Sequence, residues 1–139
     1  MTSRGIRNAN PGNIDHHDNV KWQGELPFDP SIEKRFCRFK APEWGIRAIV
    51  KILISYSKRG LNTVREIINT WAPPSENDTK SYVEHVAKLV GVHPDDEIDV
   101  TDADFVVPLV KAIIQHENGE QPYSDEIILK GIDLALGKA

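Results

Sequence analysis

The stretch PEWGIRAIVKILISYSKRG, residues 42–60, decides the fold. Within it Ile46, Ile49, Val50, Leu53 and Ile54 recur three and four residues apart, which lays an apolar stripe along one side of a helix. Pro42 suits the first turn, where its missing N–H interrupts no hydrogen bond, and Gly60 suits the stop. A helix of this length and apolarity is expected at the centre of the core.

The same period continues toward the C-terminus. Thr63-Val64-Arg65-Glu66 has the form of a capping box, and Val64, Ile67, Ile68 and Trp71 follow on one face until Pro73-Pro74 ends the run. That face assigns Trp71 to the core. After a loop at Ser75-Glu76-Asn77, the positions Tyr82, Val83, Val86, Leu89 and Val90 predict a third helix closed by Gly91. An acidic stretch, Asp95 to Asp104, links onward. Phe105 to His116 is strongly apolar and predicts a helix with Pro108 in its first turn or at a kink, ending at Asn118-Gly119. Ser124 caps a last helix carrying Ile127, Ile128, Ile132, Leu134 and Leu136, with Gly137 closing it. The first forty residues, rich in Asn, Gly, Pro and Asp, read instead as turns with one short strand at Arg35 to Phe39. The expectation is a mainly α chain forming one domain, a loop/β-lobe over 1–41 and a helical lobe over 42–139.

At 139 residues and 40% hydrophobic, the chain is long enough for one core that buries roughly two thirds of the unfolded surface. Seventeen basic against 21 acidic side chains give a formal charge of −4, which argues against a nucleic-acid partner. Cys37 stands alone, so no internal disulfide forms. No apolar run reaches the roughly 18 residues of a membrane span, and the polar start Met1-Thr2-Ser3-Arg4 lacks a secretory segment, so membrane insertion is not expected. Asp15-His16-His17-Asp18 carries metal-ligand residue types, but adjacent histidines do not give the usual zinc spacings, and a hydrated turn is expected there. No metal and no cofactor is expected.

Six segments carry a resemblance: Arg4 to Ile14, Trp22-Gln23-Gly24, Arg35-Phe36-Cys37-Arg38-Phe39, Pro42 to Ala48, Trp71 to Thr79, and His116-Glu117-Asn118-Gly119. In this order they resemble a phage family of virion-associated and endolysin-type lysozyme-like proteins, similar to the lytic domain of type VI secretion cell-wall effectors. The resemblance implies a mainly α, lysozyme-like fold with a small irregular β-lobe at the N-terminus. It implies cleavage of peptidoglycan glycan strands, as a lysozyme/muramidase or as a lytic transglycosylase; the alternative is a non-catalytic phage structural or glycan-binding virion protein. The implied partners are peptidoglycan and a virion or secretion apparatus. The implied life history is a monomer made in the cytoplasm and delivered to the periplasm and cell wall by phage, holin or secretion system. Asn10-Pro11-Gly12-Asn13-Ile14, a tryptophan and a Phe-x-x-Phe strand are also similar to the β-lobe of bacterial glucosaminidases, which carry their acid on a helix before that lobe. Few residues precede it here, whereas Ala112 to Gly119 resembles the helix-then-Glu segment of lysozyme-like enzymes. A circularly permuted arrangement is the expectation.

Glycosidic cleavage uses one carboxylic acid to protonate the leaving oxygen and a second group to support the developing positive charge or to activate water. Glu117, at the carboxyl end of a helix and beside Ile113 and Ile114, suits the acid, because the negative pole and desolvation both disfavour its ionised form. Glu43, in a first turn, suits the anionic partner, and Arg47 four residues on would pair with it. Glu33, before the strand, is the reserve for that second role, and Glu25 and Glu76 are loop acids. Asn10 and Asn13 offer amides to sugar acetamido and hydroxyl groups, and Trp22 offers an apolar ring face to a sugar. Asn77, Thr79 and Tyr82 resemble the cleft-lining helix of the glucosaminidases. Cys37, in an alternating strand, is expected to pack as a small apolar residue.

Overall fold

The computed structural model describes residues 2–75 and 77–138, so Glu76 lies outside the described residues. Six helices follow in chain order among them: α1 (Arg4–Arg7), α2 (Pro42–Lys58), α3 (Val64–Trp71), α4 (Thr79–Val90), α5 (Ala103–Asn118) and α6 (Asp125–Leu136). The chain is mainly α. Each long helix begins and ends where its local chemistry dictates. Pro42 opens α2. Thr63 and Glu66 form both halves of the capping box of α3. Asp78 caps α4, Asp102 caps α5 and Ser124 caps α6, each side chain accepting from a backbone N–H of the first turn. Gly91, Gly119 and Gly137 terminate α4, α5 and α6 in the left-handed conformation.

Two features differ from the sequence reading. Pro108 stands inside α5, past the first turn. The helix continues because only the hydrogen bond to the preceding turn is missing and the flanking Val106, Leu109 and Val110 are buried. In the N-terminal third no ladder forms: Arg35 to Phe39 makes only isolated antiparallel bridges, Asp15 with Phe36 and Glu25 with Phe39. The lobe is held by turns and side-chain hydrogen bonds instead, and α1 appears in a segment read as turn.

Helix α2 is the central element, with Ile46, Ala48, Ile49, Val50 and Leu53 fully buried. It lies chiefly against α6, while α4 packs on α5 and on α3. Close approach of α2 and α6 depends on Gly131, where an added Cβ would stand 2.5 Å from Cγ2 of Ile46 and 2.9 Å from the carbonyl oxygen of Glu43. The short α1 touches α5, and this contact brings the N-terminal lobe to the end of that helix.

Gly131→Ala gains about 1 kcal/mol of helix propensity and incurs overpacking of about 1 to 3 kcal/mol. The second effect wins, since a backbone carbonyl and a β-branched Cβ in the α2 core cannot yield. Urea denaturation is expected to show a lower midpoint with an unchanged slope; a higher midpoint would mean that the two helices are not this close.

Candidate functional site

The site forms where the C-terminal end of α5 meets the amide-rich N-terminal segment. Asn118 donates to the carbonyl of Pro11 at 2.8 Å and accepts from the Ser3 hydroxyl at 2.7 Å. Gly5 makes this approach possible, because a Cβ there would collide with Asn118 Oδ1 and with the carbonyl of Asn10. Asn10 is completely buried and acts as an internal clip. Its amide donates to the carbonyls of Ile14 and Cys37, and its oxygen accepts from the Ile14 N–H. These bonds leave Asn10 no group for a sugar, contrary to the sequence expectation. They bend the chain so that Asn13, in the left-handed region at φ 49°, faces Glu117. Asparagine tolerates that conformation better than most residues.

Glu117 is the centre of the arrangement. Asn13 Nδ2 donates to its Oε1 and to its carbonyl oxygen, both at 3.3 Å, and Tyr82 Oη donates to Oε2 at 3.3 Å. The Trp71 side chain donates to the same carboxyl group. Burial pushes the pKa of Glu117 above the ordinary carboxylate value, and the three donors offset that only in part. Among the described residues no cation forms an ion pair with it. Burial and the adjacent Glu117 raise the Tyr82 phenol, so its hydroxyl remains a donor. Its ring is fixed by stacking on His116 at 4.0 Å, and His116 in turn bonds His85 at 2.6 Å.

A groove of about 650 Å³ opens beside this carboxyl group, within the roughly 300 to 1,000 Å³ of ligand-binding clefts. Its walls include Asn13, Asp15, Trp22, Trp71, Asn77 and Glu117. Tyr56, Phe36, Arg35 and His17 also line it. Trp22, Asn13 and Asn77 all line this groove. Trp71 packs against the core as expected, and its partly buried indole also lines the groove. Tyr82 and Thr79 lie behind the wall. Tyr82 holds Glu117, and buried Thr79 donates to the Ala72 carbonyl at 2.6 Å, tying the start of α4 to the end of α3.

The two expected partner carboxylates are elsewhere. Glu43 sits in the first turn of α2, pairs with Lys130 of α6 at 3.3 Å rather than with Arg47, and does not line the groove. Glu33 is buried beneath the lobe, where Arg4 binds it through two nitrogens at 2.8 and 2.6 Å. Asn8 and the N–H groups of Arg35 and Phe36 complete its shell. Arg4, with those donors, holds the Glu33 carboxyl well below the usual carboxylate range, so it is a structural anion. Among the described residues the other carboxylate on the groove wall is Asp15, ion-paired with Arg35 at 2.6 Å. Sequence reasoning assigned Asp15 to a hydrated turn; its place on the wall comes with the Asp15–Phe36 bridge, a tertiary contact that no local spacing announces. Cys37 is buried and its thiol is pushed up to about 12 by burial and by Glu25, which removes it as a nucleophile.

The chain is 39% identical over 137 residues to Protein P5 of Pseudoalteromonas phage PM2, and the match spans 94% of this chain and 81% of that protein. No protein-family model matches the chain.

Glu33 and Glu117 make opposite contributions to pH-dependent stability. Glu33, depressed in the folded state, stabilises above its unfolded value near 4.5, and that contribution is lost as pH falls. Glu117, raised, favours folding at low pH and becomes a burden as pH climbs from about 4.5 through its folded value. Thermal melts at neutral pH are expected to show Glu33→Gln less stable and Glu117→Gln more stable than wild type. Destabilisation by Glu117→Gln would contradict the assignment of a desolvated, unpaired carboxyl.

Proposed function

The chain belongs to the family of Protein P5 of Pseudoalteromonas phage PM2, and from that footing we propose that it cleaves the glycan strands of peptidoglycan from the groove beside Glu117. The supporting observation is the environment of Glu117: a carboxyl group whose pKa burial raises above the ordinary value, held by Asn13, Tyr82 and Trp71 at the edge of an open cleft. A proton donor for a glycosidic oxygen requires that combination. Glu117 is the general acid. Asp15, also on the groove wall and paired with Arg35, is the carboxylate that supports the oxocarbenium-like transition state.

The remaining lining suits a sugar polymer. Trp22, Trp71, Tyr56 and Phe36 present ring faces and edges to apolar sugar surfaces, while Asn13 and Asn77 offer amides to acetamido and hydroxyl groups. On this reading the fold is a lysozyme-like arrangement in circular permutation, with the acid on the helix after the β-lobe instead of before it. The chain acts in the cell wall after delivery by phage, holin or secretion machinery. Both hydrolysis and lytic transglycosylation begin with the same proton donation, and the product ends separate them.

Purified peptidoglycan digested with the wild type is expected to release muropeptides resolved by mass spectrometry, reducing ends marking a hydrolase and anhydro ends a transglycosylase. Glu117→Gln is expected to lower the rate by roughly 10² to 10⁴-fold, the usual range for a positioned general acid. Asp15→Asn is expected to lower it less, and Glu43→Gln to leave it near wild type. Activity should decline as pH rises through the elevated Glu117 value, because the donor is then lost. Intact glycan with a folded wild-type protein would replace this reading with that of a glycan-binding particle component.

A further inference from the structure

Behind the groove wall, three side chains of different chemistry converge: His16, Glu25 and Cys37, with ligand atoms all within 4.8 Å of one another. They come from the turn after Asn13, the loop after Trp22 and the bridge-forming segment at 35–39, which no regular sheet joins. The Nε2 atom of His16 bonds Asp18 at 2.9 Å, and its ring stacks on Phe28 at 3.9 Å, so the ring is fixed in orientation. With Nε2–H donated to that carboxylate, Nδ1 is left as a bare lone pair. It is buried, has no hydrogen-bond partner, and stands 3.5 Å from Glu25 Oε2, itself an acceptor. The Glu25 side chain is 4% exposed, and its other oxygen is used by the Trp22 N–H. The thiol of Cys37 donates to the Asp15 carbonyl at 3.6 Å and also interacts with the Glu25 carboxylate. In that tautomer of His16, two acceptors and a sulfur face one another in a buried corner with only the thiol proton between them, and a cation in its place would satisfy all three.

We propose that His16 Nδ1, Glu25 Oε2 and Cys37 Sγ bind a single divalent transition ion of the zinc class, with water as the fourth ligand. The donor set, one imidazole nitrogen, one carboxylate oxygen and one thiolate, selects zinc over calcium or magnesium, which take oxygen shells. Bond lengths of about 2.0 to 2.3 Å at tetrahedral angles place ligand atoms about 3.3 to 3.6 Å apart. The His16–Glu25 separation already has that value, and the widest separation closes by about an ångström on binding. On coordination the S–H bond breaks, the sulfur keeps the electron pair and bonds the metal, and the proton goes to solvent. Asp18 plays the part of the outer carboxylate that orients a metal-bound histidine. The site ties three otherwise separate segments of a lobe that has few apolar residues of its own, and through Glu25 it fixes the backbone of Trp22 on the groove wall.

Cobalt(II) serves as the spectroscopic probe on the full chain after treatment with a chelator and a thiol reductant. Wild type is expected to bind one equivalent and develop a thiolate-to-cobalt charge-transfer band in the near ultraviolet, bleached by one equivalent of zinc, with a rise in melting temperature on zinc addition. Cys37→Ser should lose the band, His16→Ala should lose stoichiometric binding, and Asp18→Asn should weaken it by about 10-fold. The wild-type titration stands alone if a variant fails to fold. Absence of stoichiometric binding by folded wild type, or a cobalt spectrum without the thiolate band, overturns the site.

Discussion

Everything at the groove depends on one long-range junction: the last turn of α5 clamped to the N-terminal segment by Asn118, Ser3 and Pro11. These residues are more than a hundred positions apart in the chain, so the junction exists only when the α2, α5 and α6 core is complete. Once made, it seats Glu117 against Asn13 and closes one side of the cleft. Glycine at position 5 is the enabling residue, since any side chain there would hold the two segments apart. The left-handed Asn13 is the local concession that the junction demands.

Placement of charge follows from the same geometry. The N-terminal lobe lacks a sheet, and Glu33 substitutes for one by gathering Arg4, Asn8 and two backbone N–H groups around a buried anion. Glu117 is also shielded from water but has amide, phenol and indole donors in place of a cation. A full positive charge lowers a carboxyl pKa far more than neutral donors do, so the first pKa falls well below the ordinary value while burial leaves the second above it. Asp15, on the groove wall, is neutralised by its pairing with Arg35.

The helices were legible because their determinants are local. The box at Thr63 and Glu66, the Ser124 cap, and the glycines at 91, 119 and 137 all act within a turn of themselves, and the structure has each in place. The strand at 35–39 was not, because an alternation of five residues needs a partner that can form a ladder, and the turns on either side supply only single bridges. For the site, the position of Glu117 at a helix end and its desolvation were readable from Ile113, Ile114 and the Asn-Gly stop. The rest required tertiary contact. Trp71 follows the apolar period of α3 and packs against the core, but at the last turn of the helix it also lines the groove. Glu43 found Lys130 on α6, a pairing no spacing announces. Asp15 and the His16–Glu25–Cys37 corner are assembled from segments whose proximity is fixed by the burial of Asn10 and Ile14.

The most direct test of a proton held on Glu117 is a carbon-13 NMR titration of the glutamate carboxyl carbons, with the Glu117 resonance assigned from the Glu117→Gln spectrum. The account predicts that this carbon titrates above the value of about 4.5 ordinary for glutamate, and that Glu33 stays ionised throughout the accessible range. A Glu117 resonance that titrates at or below the ordinary value would contradict it.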